Sequence, residues 1–372
     1  MNQTALDHLL VVSLEQAVAA PYCSRIFAEN GARVIKLERP EGDFARAYDT
    51  VIHGDSAYFV WLNGGKESLA VDLAEEADKA LLRRLLSQAD VFIQNLRPGA
   101  VDRLGFGFDT LHELNPRLVM CSISGYGLSG AYADMKAYDA LIQAETGLCS
   151  VTGPEGQPSK VGASICDIAT GLTAYGEIMK SLYARDLGKG TGTHVEVSLF
   201  GTLAEWMAVP LAYYEYGNKL LKGTGMNHAQ ICPYGAYETA DGLIFLVVQN
   251  HNEWLRLCRE GLERPDLADH ALFANNMLRV ENSEALRVEI EQAFAALPRA
   301  EVAKKLQQAG IACGSINDIT DLGRHPALER RTVRAPGGES SLIRRVGGGE
   351  ATPVVPALDE HGARIRAEFG QG

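Results

Sequence analysis

The order of hydrophobic and polar positions divides the first third of the chain into two kinds of segment. Short runs rich in β-branched residues predict buried strands, whereas apolar residues three and four positions apart predict amphipathic helices. The predicted strands are residues 9–14, 32–38, 68–73, 90–96 and 117–124. Helices are predicted between them at 20–31 and 74–89. This alternation predicts an α/β fold in which a mostly parallel sheet is covered on both faces.

Helical spacing of apolar residues returns in the middle of the chain. It predicts a helix over 166–186, a strand within 190–200 and a further helical stretch over 202–217. From about residue 222 the pattern changes to two strand-like runs that meet at Asp241 and Gly242, a dipeptide typical of a tight hairpin turn. The sequence therefore predicts a second, smaller α+β region.

The remaining periodic segments belong to that second region. Helices are predicted around 252–261 and over 283–309. The tail from residue 326 is rich in glycine and proline and has weak periodicity, so it is expected to pack along another surface without forming a domain.

Composition excludes several classes of protein. The chain has 372 residues, a net charge of -12 and 46% hydrophobic residues, which describes a soluble chain long enough for two domains. The acidic balance without a long basic run argues against binding to nucleic acid or to an anionic membrane. The N-terminus has no cationic segment before an apolar run, and no run reaches the roughly 20 residues of a membrane helix, so a cytoplasmic location is expected.

Several familiar motifs are missing from the sequence. The seven cysteines stand singly, which favours buried reduced thiols over zinc or disulfide pairs. No group of His, Cys and Asp has metal-ligand spacing, so no metal is expected. The sequence has no GxGxxG after the first strand and no P-loop. It therefore lacks the motif typical of a dinucleotide-binding protein and the motif typical of a P-loop nucleotide-binding protein.

One carboxylate, Asp167, lies in the otherwise small and apolar stretch VGASICDIATGL. A buried and unpaired carboxylate costs several kcal/mol or takes up a proton. Asp167 is therefore either a helix N-cap or a functional acid at a helix mouth, and the two roles are compatible. Cys166 is a weaker candidate for a nucleophile because no histidine is near it in sequence.

Basic residues of the first third follow the predicted strands. Lys36, Arg39 and Arg46 come after the second strand or within it, Lys66 lies in NGGK, and Arg97 and Arg103 follow the fourth strand. Together they suggest a site for a polyanion such as a nucleotide or diphosphate, although each one alone is more often a solvated charge. Asp139 precedes a helical stretch, so it is also explained as a helix N-cap. His228 lies in a glycine-rich loop and either lines the entrance of a binding site or caps a turn.

A succession of motifs over the first 200 residues resembles the class III CoA-transferases, the group of formyl-CoA and carnitine CoA-transferases. The blocks are APYCSRIFAENGARVIKLERPEGD, LNGGKESLAVDL, QNLRPGAVDRLGFG, NPRLVMCSISGYG, AYDALIQAETGL, GASICDIATGL and GTHVEVSLF. The resemblance implies an interlocked homodimer whose subunits have a Rossmann-like large domain and a smaller α+β domain. The implied divisions are a large CoA-binding domain at 1–205, a connecting segment at 206–225, a small domain at 226–325 and a C-terminal segment at 326–372 that returns to the large domain.

The resemblance also implies roles for particular residues. Asp167 falls on the family's nucleophilic aspartate, which forms a mixed anhydride and then a thioester with CoA. The other implied site residues are Val18 and Ala19 in the active-site wall, Lys136, Asp139 and His228 around the acyl group, and Arg39, Lys66, Arg97 and Arg103 at the adenine and phosphate end of CoA. Val18 replaces a glutamine of formyl-CoA transferase, which argues against a formyl or oxalyl substrate. CoA and acyl-CoA are expected as substrates, with no permanently bound cofactor.

Three activities are compatible with these residues. The first is CoA transfer to a small acid, of which succinate, citramalate, mesaconate and itaconate are examples. The second is racemisation of an α-methylacyl-CoA, because α-methylacyl-CoA racemase resembles the class III transferases. Tyr138, however, occupies the position of a histidine in that racemase, and neutral tyrosine is a poor base for an α-proton. The third is CoA binding without catalysis, which the presence of Asp167 argues against.

Overall fold

The computed structural model describes residues 5–370, except for the side chain of Lys189. A six-stranded sheet forms its central element. The strands are β1 Leu10–Leu14, β2 Arg33–Glu38, β3 Glu67–Ala70, β4 Val91–Gln94, β5 Val119–Ser124 and β6 His194–Ser198. Their order is β3-β2-β1-β4-β5-β6, and every pair is parallel. The predicted parallel α/β sheet is confirmed.

Helices connect these strands. They are α1 Ala19–Glu29, α2 Ala57–Asn63, α3 Glu76–Gln88, α4 Ala100–Arg103, α5 Phe108–Leu114, α6 Asp139–Glu145, α7 Leu148–Val151, α8 Ile165–Ala184 and α9 Leu199–Trp206. Strands β1 to β5 are mostly buried, including polar side chains such as that of Lys36, because helices cover both faces of a parallel sheet. On one face, Val12 and Phe92 pack with Leu82 and Leu85 of α3, and all four are fully buried.

Helices α1 and α8 pack closely against each other on the sheet. Gly171 makes this approach possible, since a Cβ atom there would lie 2.6 Å from the carbonyl oxygen of Ala19. Farther along, the rings of Phe27 and Tyr175 meet edge to face with centroids 4.8 Å apart. The two helices therefore hold the start of α1 beside the first turns of α8.

The chain divides into two compact units. The first contains the chain up to Gly147, Val161–Val209 and the chain from Glu329 onward, and the second contains Leu148–Lys160 and Pro210–Leu328. The second unit thus includes residues 148–160, which the predicted divisions gave to the large domain, and most of the segment predicted as a connection. The chain from Glu329 groups with the sheet-bearing unit.

The second unit contains a three-stranded antiparallel sheet. Its strands are β7 Tyr234–Thr239, β8 Gly242–Val247 and β9 Ala312–Ser315. Its helices after α7 are α10 Ala208–Gly217, α11 His251–Arg256, α12 Asn276–Glu281, α13 Ser283–Phe294, α14 Arg299–Gln308 and α15 Ile319–Arg324. The predicted hairpin is confirmed, because Thr239 pairs with Gly242. The stretch 283–309 is two helices, since Pro298 begins a new one at α14.

The C-terminal tail has more regular structure than its composition predicts. Strands β10 Arg330–Ala335 and β11 Gly338–Ile343 form an antiparallel hairpin, and helix α16 Gly362–Phe369 follows. Helix α16 packs on α3 and β3, where Arg366 pairs with Asp78 and donates to the carbonyl oxygen of Ala70. The hairpin was missed because its charged residues hide the alternation that predicts strands.

Candidate active site

The loop between β1 and α1 lies at the carboxyl edge of the sheet and is fixed from both sides. The backbone N–H of Gln16 donates to Asn95 Oδ1, and Asn95 Nδ2 donates back to the carbonyl oxygen of Gln16. On the other side, the N–H of Ala17 donates to Asp43 Oδ1 at 3.2 Å. Ala17 has a φ of 65°, a left-handed conformation that is uncommon for alanine. Open parallel sheets bind ligands at this edge.

Asp167 is the third residue of α8, so the interpretation of Asp167 as the N-cap of its helix is wrong. Ser164 occupies the cap position and makes no side-chain cap bond. Instead Asp139 Oδ2 accepts hydrogen bonds from the N–H groups of Cys166 and Asp167, at 2.8 and 3.2 Å. Asp139 therefore caps a neighbouring helix, whereas the sequence predicted that it caps its own.

Asp139 is itself held in place by a buried amide. Gln143 Nε2 donates to Asp139 Oδ1 at 2.6 Å, and Gln143 Oε1 accepts from the N–H of Val161 at 2.8 Å. The Gln143 side chain is fully buried. The donors at the mouth of α8 are thus directed to Asp139, and the carboxylate of Asp167 receives no hydrogen bond from any described residue.

The electrostatic environment of Asp167 follows from this arrangement. Burial and, to a smaller extent, the neighbouring charge of Asp139 together raise the pKa of the Asp167 carboxyl to about 7. The charge of Asp167 also acts on Tyr48: burial, followed by the charges of Asp43 and Asp167, raises the pKa of the Tyr48 phenol to about 12. Asp167 is therefore a poorly solvated carboxyl that titrates near neutral pH, a property typical of functional acids.

Val18 and Ala19 lie at the start of α1, which faces the helix that bears Asp167. Residues four positions apart share a helix face, so Asp167 lies on the same face of α8 as Gly171. Gly171 in turn contacts Ala19 and Tyr22 at the start of α1. Both Val18 and Ala19 are buried. The start of α1 therefore forms an apolar wall on the Asp167 side of α8.

Cys166 has the chemistry of a structural thiol. Its Sγ donates to the carbonyl oxygen of Leu199 at 3.6 Å. Burial, followed by the charges of Asp167 and Asp139, raises the pKa of the Cys166 thiol to about 12. A thiol held protonated at neutral pH is a weak nucleophile, so Asp167 is the stronger candidate.

The three predicted CoA-binding arginines are accessible to solvent. Arg39 follows β2, Arg97 follows β4 and Arg103 ends α4, and all three are exposed. Strands β2 and β4 flank β1, so Arg39 and Arg97 follow the strands on either side of the β1–α1 loop. Within residues 5–370, none of the three forms an ion pair. They remain free to bind a polyanion.

Lys66 is different from the three arginines, and the structure does not support its predicted contact with CoA. Its ammonium donates to Glu15 Oε1 at 2.7 Å, to Asn63 Oδ1 at 3.0 Å and to the carbonyl oxygen of Pro21 at 3.1 Å. The side chain is fully buried, and all three donors are used. No donor is left for a phosphate.

The remaining predicted residues lie in two different units. Lys136 is exposed just before α6, in the same unit as Asp167. His228 belongs to the second unit, where its ring stacks on Tyr234 with centroids 5.0 Å apart and its Nδ1 accepts from the N–H of Gln230. His228 lines a cavity of about 430 Å³ together with Asn227 and Arg287.

Sequence reasoning missed a row of aromatic rings beside the acid. The rings of Tyr22, Trp61, Tyr58, Tyr48 and Phe44 follow one another with centroid separations of 5.6 to 6.2 Å. The row begins at Tyr22, which contacts Gly171, and includes Tyr48, which lies near Asp167. These residues come from three separate segments, so no local pattern in the sequence indicates that they meet.

The described residues contain neither a candidate metal site nor a candidate membrane-spanning helix. Among the described residues, no three His, Cys, Asp or Glu side chains are grouped so that they could hold a metal ion. Within residues 5–370, no helix has the length and hydrophobicity needed to span a bilayer.

The fold and the sequence together place the chain among the enzymes that transfer CoA. A model of CoA-transferase family III matches residues 6–352, and the chain belongs to this family. The resemblance found in the sequence motifs is therefore confirmed.

Named relatives agree with this assignment. Acetyl-CoA:oxalate CoA-transferase of Acetobacter aceti is 33% identical, over 98% of this chain and 95% of its own. Succinyl-CoA:glutarate CoA-transferase of Mus musculus is 30% identical, over 98% of this chain and 86% of its own. The crystal structure of a CAIB/BAIF family protein from Brucella suis matches with a TM-score of 0.82 and 32% identity, covering 99% of this chain and 100% of that one.

Proposed function

We propose that this CoA-transferase moves CoA from an acyl-CoA to a small carboxylic acid through covalent intermediates on Asp167. The observation that carries the proposal is the carboxylate of Asp167, which lies at the mouth of α8 without a hydrogen-bond donor because Asp139 takes the nearby N–H groups. A carboxylate is a weak nucleophile in water, and partial removal of its solvation makes it more reactive.

The first half-reaction releases the donor acid. An oxygen of Asp167 attacks the thioester carbonyl carbon, the carbon–sulfur bond breaks, and a mixed anhydride and CoA thiolate form. The thiolate then attacks the aspartyl carbonyl carbon of the anhydride. The donor acid leaves as a carboxylate that carries one former oxygen of Asp167, and an aspartyl-CoA thioester remains.

The second half-reaction runs the same chemistry backward with the acceptor. The acceptor carboxylate attacks the aspartyl-CoA thioester, which gives a new anhydride and CoA thiolate. Attack of the thiolate on the acceptor carbonyl carbon yields the acceptor acyl-CoA and restores the Asp167 carboxylate with one oxygen from the acceptor. Asp139 keeps α8 in place throughout, and the wall formed by Val18 and Ala19 limits the access of water.

CoA binding is assigned to the exposed cations at the carboxyl edge. Arg39 and Arg97 follow the strands on either side of the β1–α1 loop, and Arg103 ends α4. All three are exposed and free to bind the phosphates and adenine end, and Lys136 is exposed just before the helix that bears Asp139. Cations gathered in an otherwise acidic protein attract a polyanionic substrate. Lys66 is left out of this set because its donors are used inside the protein.

The acceptor is proposed to be a small dicarboxylic acid. The relatives named above act, by their names, on oxalate and on glutarate with succinyl-CoA, all dicarboxylic groups. The acceptor class includes succinate, citramalate, mesaconate and itaconate. His228, with the cavity that it lines, is proposed to contribute to acyl selection.

Assembly and location are proposed as an interlocked homodimer in the cytoplasm. Large apolar side chains remain exposed on the first unit, among them Leu172, Tyr183 and Trp206. We propose that these side chains are covered by the second subunit.

Oxygen-18 in the acceptor carboxylate tests the covalent relay. With enzyme in excess over acyl-CoA, a single turnover is expected to release unlabelled donor acid, because its new oxygen comes from Asp167. Under multiple turnovers the donor acid is expected to carry one label, passed through Asp167 from the previous acceptor. Label in the first donor acid would instead show direct attack of the acceptor on the donor thioester.

A second assay distinguishes the alternative functions. Exchange of an α-hydrogen with deuterium, without CoA exchange, would identify a racemase. A protein that catalyses neither exchange would be a CoA-binding protein without catalysis.

The pH dependence of the reaction is expected to follow the Asp167 carboxyl. Only its ionised form attacks, so kcat/KM for the acyl-CoA is expected to fall about tenfold per pH unit below about 7 and to level off above it. Asp139→Asn removes one of the two causes of the raised pKa, so its profile is expected to move to lower pH. A profile that stays flat from pH 5.5 to 8.5 would contradict this assignment of the nucleophile.

A further inference from the structure

We propose that Asp43 and Lys36 are positioning residues for CoA transfer, because they hold the β1–α1 loop in the conformation that places the active-site wall against the Asp167 side of α8. This inference rests on the proposed function of Asp167. It assigns a role to a buried group of charges that the reaction itself does not use.

The charges form a connected network beneath the loop. Lys36 Nζ donates to Asp43 Oδ2 at 2.8 Å and lies 3.5 Å from Glu15 Oε1, which also accepts from Lys66. Ser24 of α1 donates to the other oxygen of Glu15 at 2.6 Å. The side chains of Glu15, Lys36, Asp43 and Lys66 have no exposed surface. Two cations and two anions therefore balance each other inside the first unit.

Such a network is costly to maintain for stability alone. Each buried charge pays a desolvation penalty of several kcal/mol, and apolar residues of similar volume are often as stabilising as a buried ion pair. Burial lowers the pKa of Lys66 to about 8 despite the attraction of Glu15. The network thus calls for a role other than stability, and its contacts with the backbone indicate that role.

Most of the backbone contacts converge on the β1–α1 loop and the first turn of α1. Asp43 Oδ1 accepts from the N–H of Ala17 at 3.2 Å, and Lys36 Nζ approaches the carbonyl oxygen of Glu15 at 3.4 Å. Lys66 Nζ binds the carbonyl oxygen of Pro21. Asp43 thereby holds Ala17 in its left-handed conformation, which costs an alanine roughly 1–2 kcal/mol. Lys36 in turn orients Asp43 by binding its second oxygen.

The conformation of the β1–α1 loop determines where the active-site wall lies relative to Asp167. Ala19, two residues after Ala17, presents its carbonyl oxygen to Gly171 on the Asp167 face of α8. A shift of Ala17 therefore moves the wall relative to the nucleophile. Reacting groups that are misplaced by about 1 Å lose roughly 100-fold in rate even when the substrate still binds.

Asp43→Asn tests the proposal. The amide keeps an oxygen for the N–H groups of Ala17 and Ala45 but turns its NH2 group toward the Lys36 ammonium, so the pair repels. We expect kcat to fall about 100-fold while KM for the acyl-CoA stays within about threefold. Asp318→Asn is the matched control, because Asp318 also accepts from two backbone N–H groups, those of Thr320 and Asp321, in the second unit. Its kcat and KM are expected to remain those of the unchanged enzyme.

Ala17→Val keeps the proposal testable if Asp43→Asn does not fold. Valine is strongly disfavoured at a φ of 65°, so it shifts the loop without touching the buried charges. We expect the same loss of kcat with little change in KM. Unchanged kcat in a folded Asp43→Asn protein, or in Ala17→Val, would overturn the proposal. Asp167→Asn is assayed in parallel: activity in that variant would refute the proposed nucleophile, whereas the results at Asp43 and Ala17 would still report on the loop.

Discussion

Asp167→Asn is expected to abolish CoA transfer. The amide has nearly the shape of the carboxylate, but it cannot attack the thioester and form an anhydride, so kcat is expected to fall by roughly 10⁴-fold or more. Binding of acyl-CoA is expected to persist, because the exposed arginines that we assign to CoA are unchanged. The checks are a steady-state assay of CoA exchange and equilibrium binding of acyl-CoA.

The same variant is expected to be more stable than the unchanged enzyme above pH 7. The folded-state pKa of Asp167 is about 7, against roughly 3.9 in an unfolded chain, so the folded protein holds the proton more tightly between these values. Folding stability therefore decreases as pH rises through this range, and asparagine removes the loss. We expect a gain of about 2 kcal/mol at pH 8, with the carboxyl's partial exposure limiting the effect.

A matched control separates these effects from a general change of charge. Asp109 also lies in the first turn of a helix, α5, but its side chain is exposed. Asp109→Asn is expected to keep full activity and to change stability by no more than a few tenths of a kcal/mol. If Asp167→Asn retained the activity of this control, the aspartyl mechanism would be refuted.

Gly171→Ala is expected to damage both folding and catalysis. The added Cβ would lie 2.6 Å from the Ala19 carbonyl oxygen and 3.0 Å from Tyr22 Cβ, so α1 and α8 must move apart. Overpacking of this kind costs about 2 kcal/mol, more than the roughly 1 kcal/mol that alanine contributes to a helix. Because α1 carries the active-site wall and α8 carries Asp167, kcat is expected to fall about 100-fold as well.

Gly176→Ala is the corresponding control on the same helix. A Cβ atom at Gly176 would meet nothing within 4 Å, so alanine adds only its helix propensity. We expect this variant to be up to about 1 kcal/mol more stable, measured as a higher midpoint of urea denaturation, with unchanged activity. Equal behaviour of the two variants would show that the contact between α1 and α8 does not control the site.

The basic residues show how much about a binding site can be predicted from the sequence. Arg39, Arg97, Arg103 and Lys66 are all cations close in sequence to a predicted strand. In the structure the three arginines are exposed, but Lys66 is buried against Glu15. The difference depends on a partner 51 positions away, and no local pattern reports the distance between such residues.

The outcome for Asp139 has the same cause. Its place before a helical stretch predicted a cap of its own helix, α6. The structure turns its carboxylate to the first turn of α8, where it binds the N–H groups of Cys166 and Asp167. These contacts span 27 and 28 positions and decide how Asp167 is solvated.

The sequence by itself determined the parallel α/β sheet, the two regions of different character and the single acid in an apolar stretch, because periodicity, turn residues and composition are local properties. It also carried the family motifs. The tertiary structure alone decided which charges are free and which are buried, that Asp139 rather than Asp167 caps α8, and that a left-handed Ala17 rests on Asp43. The physical reason is that solvation and electrostatic coupling depend on distances between side chains that folding brings together from distant parts of the chain.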